Sequence, residues 1–326
     1  MHLIIPYAAS HAFTGPEVWT GWQLPHLQAL LGQLQRQQAL QDTSPTPLHL
    51  PHERLQAQAL GWASQAVDLP WAAWHQVQQG LHSAAPQAWM TPCHWQIGMD
   101  HVVMADPAQL HLSDIESQQL LQAMQPFLQE DGLQVTWYSA LLWHVQGAML
   151  ADLPTASLDR VIGQNVKDWM PQHPAARPLQ RLQSEMQMLF YNHPVNDARE
   201  ASRRPTVNAF WLHGAGTLPA SPSSAAPLKT APVTVADALR TSALQGDLRT
   251  WQQAWQQLDA TAVADLLQHF KARGQCTLSL CSEHAAHTFT AAPAAWHQRF
   301  TRAFTRLSNK ASPAAVLQAL VRHPTA

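Results

Sequence analysis

An alternation of apolar, strand-like runs with amphipathic helical stripes at both ends of the chain constrains the fold more than any other feature. Residues 2–8 form an apolar run that predicts a buried strand, and residues 24–40 carry apolar side chains at the spacing of one helix face. The runs 207–212 and 275–281 predict two more buried strands near the other end. This alternation is typical of an α/β sheet with helices on both faces.

The middle of the chain has a different pattern, which is β-rich first and then α-rich. Ser113 and Glu116 form a capping box, which predicts a helix that ends near position 130. We therefore predict an inserted α+β domain over residues 62–190, and an α/β domain made of residues 1–61 and 191–326.

The last third of the chain begins with a linker-like segment. Residues 217–235 are rich in proline, serine and alanine, which favours a flexible linker or a surface loop. Beyond this segment the apolar spacing predicts helices at 235–244, 247–257, 260–273, 296–307 and 313–321. No internal repeat is present.

The composition excludes several classes of function. Charged residues make up 12% of the 326 residues, about half of the ~25% usual in globular proteins, and the net charge is −2. With no basic stripe and no run of like charge, we expect no nucleic-acid partner and no binding to anionic membranes. No apolar run reaches the ~18 residues that cross a bilayer, so we expect no membrane-spanning segment.

The N-terminus and the cysteines favour a cytoplasmic protein. The chain begins with apolar residues but has no basic segment and no cleavage site, so we expect no signal peptide. An odd number of cysteines at irregular spacing argues against a disulfide framework or a zinc knuckle: Cys93, Cys276 and Cys281. We expect buried thiols in a reducing cytoplasm.

Residues 192–216 form the best candidate for a ligand site. A polar loop leads into an apolar strand that ends in two glycines, and open α/β sheets bind ligands at the carboxyl ends of their strands. The candidate ligand-binding residues are His193, Asn196, Arg199, Asn208, His213, Gly214 and Gly216.

Each of these residues also has a structural alternative. The sequence His-Pro-Val-Asn favours a turn in which the asparagine bonds to its own backbone, and Asn208 can close the loop against the strand. Arg199 can satisfy loop carbonyls or pair with Glu185 or Glu200. The two glycines can permit a tight turn or a positive φ.

The same segment carries a family resemblance. Its strings HPVNxxR and NxxWLxGxG resemble archaeal-type, cofactor-independent phosphoglycerate mutases of the alkaline-phosphatase superfamily. The chain more closely resembles bacterial proteins described either as cofactor-independent phosphoglycerate mutases or as regulatory proteins of the RpfE type. This resemblance covers most of the chain and includes MHLIIP at 1–6, PHER at 51–54, TPCHW at 91–95, LPTASLDR at 153–160 and LQSE at 182–185. It implies an alkaline-phosphatase-like sheet in a bacterial protein.

An active member of that superfamily implies a phosphorylated serine or threonine and two divalent metal ions, Mn, Zn or Mg, held by Asp and His side chains at strand ends. Several of these parts are missing from the sequence. The first strand leads to Ser10 without a carboxylate before Glu17, and the stretch 50–54 that matches the nucleophile turn has no hydroxyl. His213 stands where the relatives have a phosphate-binding arginine.

The run 275–281 is followed by a set of candidate metal ligands. In the superfamily an Asp-His pair ends such a strand, and Glu283 with His284 can stand in for that pair here. His287 adds a histidine three residues further on. A polar loop after a strand is the structural alternative, and a partial pair cannot build a two-metal site.

Two functional hypotheses follow. The first is a degenerate phosphoglycerate-mutase-like protein, a pseudoenzyme without a metal cofactor. It would act in regulation through an unknown protein partner, or bind a small phosphorylated or anionic ligand. The second is an active metal-dependent mutase that interconverts 3-phosphoglycerate and 2-phosphoglycerate. The missing ligands and nucleophile favour the first hypothesis, and the match at 193–216 favours the second.

Overall fold

The computed structural model describes residues 1–19, 21–42, 44, 46–62, 68–172, 176–218, 232–291 and 312–321. The chain divides into two compact units, which we call unit 1 and unit 2. Unit 1 comprises residues 1–45, 50–64 and 224–326, and unit 2 comprises residues 46–49 and 65–223. The predicted helix at 296–307 and most of the predicted linker at 217–235 lie outside the described residues, although Val233–Val235 forms a strand.

Strands and helices are numbered here in chain order. The strands are β1 His2–Ile5, β2 Leu34–Gln41, β3 Gln87–Cys93, β4 Trp95–Ile97, β5 Val102–Met104, β6 Gln134–Ser139, β7 Leu142–Gln146, β8 Ala209–Gly216, β9 Val233–Val235, β10 Thr277–Cys281 and β11 Ala285–Ala291. The α-helices are α1 Pro25–Leu31, α2 Pro51–Ala59, α3 Trp71–Gln78, α4 Asp114–Glu130, α5 Leu158–Val161, α6 Arg177–Tyr191, α7 Pro194–Ala201, α8 Arg240–Leu244, α9 Leu248–Leu258, α10 Ala264–Arg273 and α11 Pro313–Val321.

Shorter helical segments complete the described secondary structure. Four turns of 3-10 helix lie at Pro16–Trp19, Pro107–Leu110, Ala148–Leu150 and Val166–Asp168, and a π-helical turn at Asp259–Val263 joins α9 to α10. No helix in the described ranges combines the length and the apolar character that crossing a bilayer requires.

Unit 1 is built on a mixed five-stranded sheet in the order β2-β11-β10-β1-β9. β1 runs parallel to both β9 and β10, and β11 runs antiparallel to its neighbours β10 and β2. Since β2 and β10 are both antiparallel to β11, four of the five strands point the same way. Their carboxyl ends therefore meet at one edge, which is where α/β sheets place their ligand sites.

Two tryptophans of α9 fix the chain after β1. Trp251 and Trp255 are one helical turn apart and fully buried, so they share the inward face of the helix. Their indole N–H groups donate to the carbonyls of Tyr7 at 2.9 Å and Ala8 at 3.0 Å. Burial of the rings and pairing of their polar atoms hold the segment that leads from β1 to the carboxyl edge.

Unit 2 is built on a four-stranded antiparallel sheet in the order β6-β7-β3-β8, with a separate β4–β5 hairpin. One face of the sheet forms the core of the unit with α4 and α6. On β6 the apolar core residues alternate with polar ones, as expected for a sheet with two different environments, whereas β3 and β8 are buried on both faces along most of their length.

The structure differs from the predicted domain boundary at position 190. The apolar run 207–212 is part of β8, which pairs antiparallel with β3, so this strand belongs to the sheet of unit 2. The periodicity of the run identified a strand, but it contained no information about the partner strand. Cys93 pairs with Ala209 and Met90 with Leu212, and all four of these residues are buried.

Candidate functional site

Six polar side chains from four segments lie in contact with one another at the carboxyl edge of the sheet in unit 1. Two of them follow β1, one follows β2, one lies on α2, and two lie in the turn between β10 and β11. We call this group the carboxyl-edge cluster, and it consists of Ser10, His11, Asp42, Arg54, Glu283 and His284.

Glu283 is held by the two residues that follow β1. The hydroxyl of Ser10 donates to Oε1 of Glu283 at 2.5 Å, and the Nδ1 of His11 lies 3.0 Å from Oε2. The backbone N–H of His11 donates to the same Oε2 at 3.2 Å. Burial raises the pKa of Glu283, but the hydrogen bonds from His11 and Ser10 outweigh it and hold the pKa below its ordinary value.

Asp42 forms the centre of the other half of the cluster. Its Oδ2 lies 3.3 Å from the Nδ1 of His284, and its Oδ1 accepts a hydrogen bond from the guanidinium of Arg54. The backbone N–H of Asp42 donates to the carbonyl of His284 at 2.9 Å. The rings of His11 and His284 meet edge to face with centroids 5.1 Å apart, so the two halves form one continuous chain of contacts.

The start of α2 sets the position of Arg54. Pro51 occupies the first turn, and the carboxylate of Glu53 accepts a hydrogen bond from the backbone N–H of Leu50 at 2.7 Å. Proline at a helix start and a carboxylate on the N-terminal N–H groups are standard stabilising features. The helix therefore begins at a defined residue, which places Arg54 one turn later beside Asp42.

The residues present do not fit the metal ions that the family resemblance implies. Among the described residues, no three His, Cys, Asp or Glu side chains are arranged to hold a metal ion. The carboxylate of Glu283 is engaged by Ser10 and His11, and that of Asp42 is engaged by Arg54 and His284. A two-metal site needs several ligands converging on each ion, and the described residues do not provide such a set.

Asn196 and Arg199 in α7 make contacts with the protein itself. The amide of Asn196 donates to the carbonyls of Phe190 and Val207, and its oxygen accepts from the N–H of Val207. Arg199 is 0% exposed. Its guanidinium donates to the carbonyls of Pro205 and Leu110 and to the carboxylate of Glu116.

His193 and Asn208 close the two ends of the polar loop. His193 is the N-cap of α7, and its Nδ1 accepts from the N–H of Val195 at 3.2 Å. Burial lowers the pKa of His193, and the nearby carboxylate of Asp197 opposes this effect. Asn208 clamps the backbone of Trp95, because its oxygen accepts from the N–H at 2.7 Å and its amide donates to the carbonyl at 2.9 Å.

The last three predicted residues lie within β8. The Nε2 of His213 lies 3.0 Å from the hydroxyl of Thr91 on the neighbouring strand. Gly214 and Gly216 both have positive φ, at 61° and 128°. A Cβ on Gly214 would lie 3.1 Å from the Cβ of Trp71, so α3 packs where a side chain would stand. The structure thus places the seven predicted residues in internal contacts of unit 2.

His287, the third candidate metal ligand, lies within β11 opposite Leu280 and Ala39. It is buried, and its ring packs edge to face against Phe289 with centroids 6.4 Å apart. Burial lowers the pKa of His287, and the charge of Arg36 lowers it further.

Four members of the carboxyl-edge cluster were not identified from the sequence: Ser10, His11, Asp42 and Arg54. A usable signal was the position of Ser10 and His11 shortly after the predicted strand 2–8, since strand ends collect ligand-binding side chains. Asp42 gave no such signal, because residues 24–40 were predicted as a helix, and this prediction was wrong for residues 34–41, which form β2. The mutual contacts of the cluster depend on β11 inserting between β2 and β10, which no local pattern predicts.

No protein-family model and no curated protein matches this chain. Among solved structures, it is similar to a cofactor-independent phosphoglycerate mutase from Thermoplasma acidophilum, with 12% identity, a TM-score of 0.38, and coverage of 98% of this chain and 99% of that chain. It is also similar to a protein from Pyrococcus horikoshii, with 12% identity, a TM-score of 0.46, and coverage of 89% and 86%.

Proposed function

We propose that this chain is a degenerate, RpfE-type phosphoglycerate-mutase-like protein with a regulatory or interaction role. In this proposal the carboxyl-edge cluster binds a small phosphorylated or otherwise anionic ligand without metal-dependent turnover. The observation that carries the proposal is the pairing within the cluster, in which protein groups already engage both carboxylates that could bind metal.

The environment of Ser10 supports the absence of phosphoryl transfer. Ser10 is 1% exposed, its hydroxyl donates to Glu283, and its oxygen accepts from the N–H of Ala12. A nucleophilic hydroxyl needs access to the substrate and a base or a metal ion that lowers its pKa. Here the hydroxyl instead ties Glu283 to the loop after β1.

The cationic side of the cluster supports an anionic ligand. Arg54, His11 and His284 are each about a third exposed at the carboxyl edge. Guanidinium and protonated imidazole groups donate charge-assisted hydrogen bonds to phosphate and carboxylate oxygens.

An active metal-dependent phosphoglycerate mutase is the second candidate. The observation that favours it is the position of Glu283 and His284 at the carboxyl end of β10, beside a serine hydroxyl. This candidate requires that added metal ions displace Ser10, His11 and Arg54 from the two carboxylates.

Metal analysis and an activity assay on the purified full chain separate the two candidates. We expect substoichiometric Mn, Zn and Mg after gel filtration, and no conversion of 3-phosphoglycerate to 2-phosphoglycerate above the protein-free rate when Mn²⁺ is added. Conversion above that rate would overturn the pseudoenzyme proposal and establish the second candidate.

The ligand is tested by thermal unfolding with inorganic phosphate and with 3-phosphoglycerate. A ligand that binds only the folded state raises the melting temperature, and we expect this for the natural chain. His284→Gln removes an imidazole from the cluster and should abolish that protection. Absence of protection in the natural chain would eliminate the anion-binding part of the proposal.

His26→Gln is the matched control for that variant. His26 pairs with the buried Asp259 at 3.0 Å, and it is 40% exposed, against 37% for His284. Both substitutions break a His–Asp pair in unit 1, so the unliganded melting temperatures should fall by similar amounts. Protection by phosphate should survive only in His26→Gln, and equal loss in both variants would contradict binding at the cluster.

A further inference from the structure

The face of the unit 2 sheet that points away from its core carries polar and aromatic side chains. Along β6 and β7 the residues Val135, Trp143 and Val145 pack into the core, and the alternate residues occupy the opposite face. Apart from Leu142, those alternate residues carry polar groups: Gln134, Thr136, Tyr138, His144 and Gln146. Since successive strand residues point to opposite faces, these five side chains share one surface.

Helix α3 packs against the β3–β8 half of this face. The ring of His75 meets the ring of Trp89 edge to face at 5.2 Å, and Trp71 packs against the backbone of Gly214. The β6–β7 half lies beside the helix and borders a cavity of about 760 Å³. That volume lies within the range of about 300–1,000 Å³ that small-molecule sites occupy.

The lining of this cavity combines amide, hydroxyl and imidazole groups with the apolar surfaces of Leu81, Trp137 and Tyr138. Four glutamines contribute primary amides, and none of these side chains has a hydrogen-bond partner among the described residues: Gln76, Gln79, Gln134 and Gln146. Among the described residues that line the cavity, none is Asp, Glu, Lys or Arg. Each amide offers two donors and one acceptor oxygen to a ligand.

His144 adds a fixed acceptor. It is 7% exposed, and its Nε2 lies 2.8 Å from the side-chain oxygen of the buried Gln87. An amide oxygen accepts only, so Nε2 carries the proton and Nδ1 presents a lone pair, which has no partner among the described residues. Burial, with a contribution from His75, lowers the pKa of His144 and keeps the ring neutral at pH 7.

Tyr138 supplies an aromatic surface at the rim. It is 46% exposed, which is unusual for so large an apolar ring, and His75 and Trp89 hold the ring by contacts at 5.1 and 5.4 Å. Its hydroxyl lies 3.3 Å from the Nε2 of His75. Because the ring is restrained in this way, it presents an apolar surface to a ligand and loses little conformational entropy on binding.

We propose that this cavity binds a neutral, polyhydroxylated ligand of the saccharide class. Hydroxyl groups are both donors and acceptors, so they match the mixed amide groups and the imidazole lone pair. The C–H face of a sugar ring is apolar and matches the exposed ring of Tyr138. The lining contains no Lys or Arg that could pair with a phosphate or a carboxylate, whereas the carboxyl-edge cluster contains Arg54, so the two sites differ in chemistry.

The test is saturation-transfer NMR on the full chain with a panel of neutral sugars: glucose, galactose, mannose, maltose and cellobiose, with adenosine as a separate arm. We expect transfer to the ring C–H protons of at least one sugar. Tyr138→Ala and Gln134→Ala should each weaken its affinity about tenfold, as the loss of a ring contact or hydrogen bonds predicts. Gln122→Ala, an exposed glutamine on α4, is the matched control and should bind as the natural chain does.

Tyr138 and Gln134 are both exposed, so their variants should keep the circular dichroism and melting temperature of the natural chain. An affinity for the sugar that is unchanged in both variants would overturn the proposal, as would transfer to adenosine alone or to no probe. Adding 3-phosphoglycerate should leave the sugar signal unchanged, which separates this proposal from that for the carboxyl-edge cluster.

Discussion

Arg199 is a candidate anion-binding residue in the sequence, but in the structure its guanidinium forms hydrogen bonds with the protein itself. It is fully buried, and all three groups of its guanidinium donate to protein oxygens. Arg199→Ala would leave the carbonyls of Leu110 and Pro205 without these donors. We expect a loss of about 3 kcal/mol in the free energy of unfolding, measured by urea titration, because breaking a buried charged network is costly.

Arg204 provides the comparison for that prediction. It pairs with the same Glu116 at 2.9 Å, but 41% of its side chain is exposed, against 0% for Arg199. Exposed pairs contribute about 0–1 kcal/mol, so Arg204→Ala should change the stability little. If Arg199→Ala were equally mild but abolished protection by phosphate, Arg199 would be a ligand-binding residue and our assignment would be wrong.

The stability of unit 1 should depend on pH through Glu283. Hydrogen bonds from His11 and Ser10, acting against burial, place the pKa of Glu283 in the folded protein below the ordinary 4.5. A carboxyl group whose pKa is lower in the folded state than in the unfolded state stabilises the fold at pH values above its unfolded-state pKa. This stabilisation is lost as the pH falls through the folded-state pKa.

Glu283→Gln tests this dependence. The variant should be less stable than the natural chain at pH 7, and the difference should shrink as the pH falls below 4.5 in a series of urea titrations. Glu17→Gln, at an exposed glutamate, serves as the control. A stability difference that stayed constant down to acidic pH would contradict the role of the Glu283 carboxylate.

At the scale of elements, β8 shows how the backbone conformation of a strand depends on its neighbour. Gly214 has a φ of 61°, and α3 lies against it, so a side chain there meets both backbone strain and contact with Trp71. Left-handed backbone costs a non-glycine residue about 1–2 kcal/mol. Gly214→Ala should therefore lower the free energy of unfolding by about 2 kcal/mol or more in a urea titration.

Gly163→Ala separates the cost of backbone strain from the cost of contact with α3. Gly163 also has a positive φ, of 74°, but a Cβ at that position would meet no atom within 4 Å. This variant should show the backbone strain alone, about 1 kcal/mol. If Gly163→Ala lowered the free energy of unfolding as much as Gly214→Ala does, the packing of α3 against β8 would contribute nothing to the effect at Gly214.

Local signals predicted some elements accurately. The capping box of Ser113 and Glu116 is formed, since Glu116 N–H donates to the Ser113 hydroxyl at 3.3 Å, and α4 ends at Glu130 as the spacing predicted. Such signals lie within one turn of helix, so sequence alone contains them. The partner of β8 was not predictable in this way, because pairing joins residues far apart in the chain.

At the scale of the whole molecule, each unit has its own sheet and core. We expect the fragment 68–218, which contains the described core of unit 2, to fold by itself. A segment of about 150 residues buries enough surface for independent stability. The measurement is a urea titration of the fragment followed by circular dichroism, which should show one cooperative transition.

Phe210→Ala in the same fragment is the check on that transition. Phe210 is a fully buried residue of the unit 2 core, so its truncation should cost about 3–5 kcal/mol. A fragment that unfolds without a cooperative transition, or a transition that Phe210→Ala does not shift, would show that unit 2 depends on the rest of the chain.

Local patterns in the sequence predicted that the chain combines sheet and helices, and they located several of these strands and helices approximately. Apolar periodicity predicted the strand near residues 2–8 and the late strand near 275–281, which appear as β1 and β10 in a mixed α/β sheet. This information is local, because a side chain's periodicity reports whether its own element has a buried face.

Contacts between distant polar residues depend on how the whole chain folds. Ser10 and Glu283 are 273 positions apart and share a hydrogen bond. In the contiguous segment 193–216, by contrast, the polar side chains form hydrogen bonds with nearby backbone and with neighbouring elements. The physical reason is that a site depends on strand order and register, which follow from packing across the whole chain. The sequence alone indicated the segments 193–216 and 283–287 separately, and the candidate ligand site lies at an edge where the second of them meets three other segments.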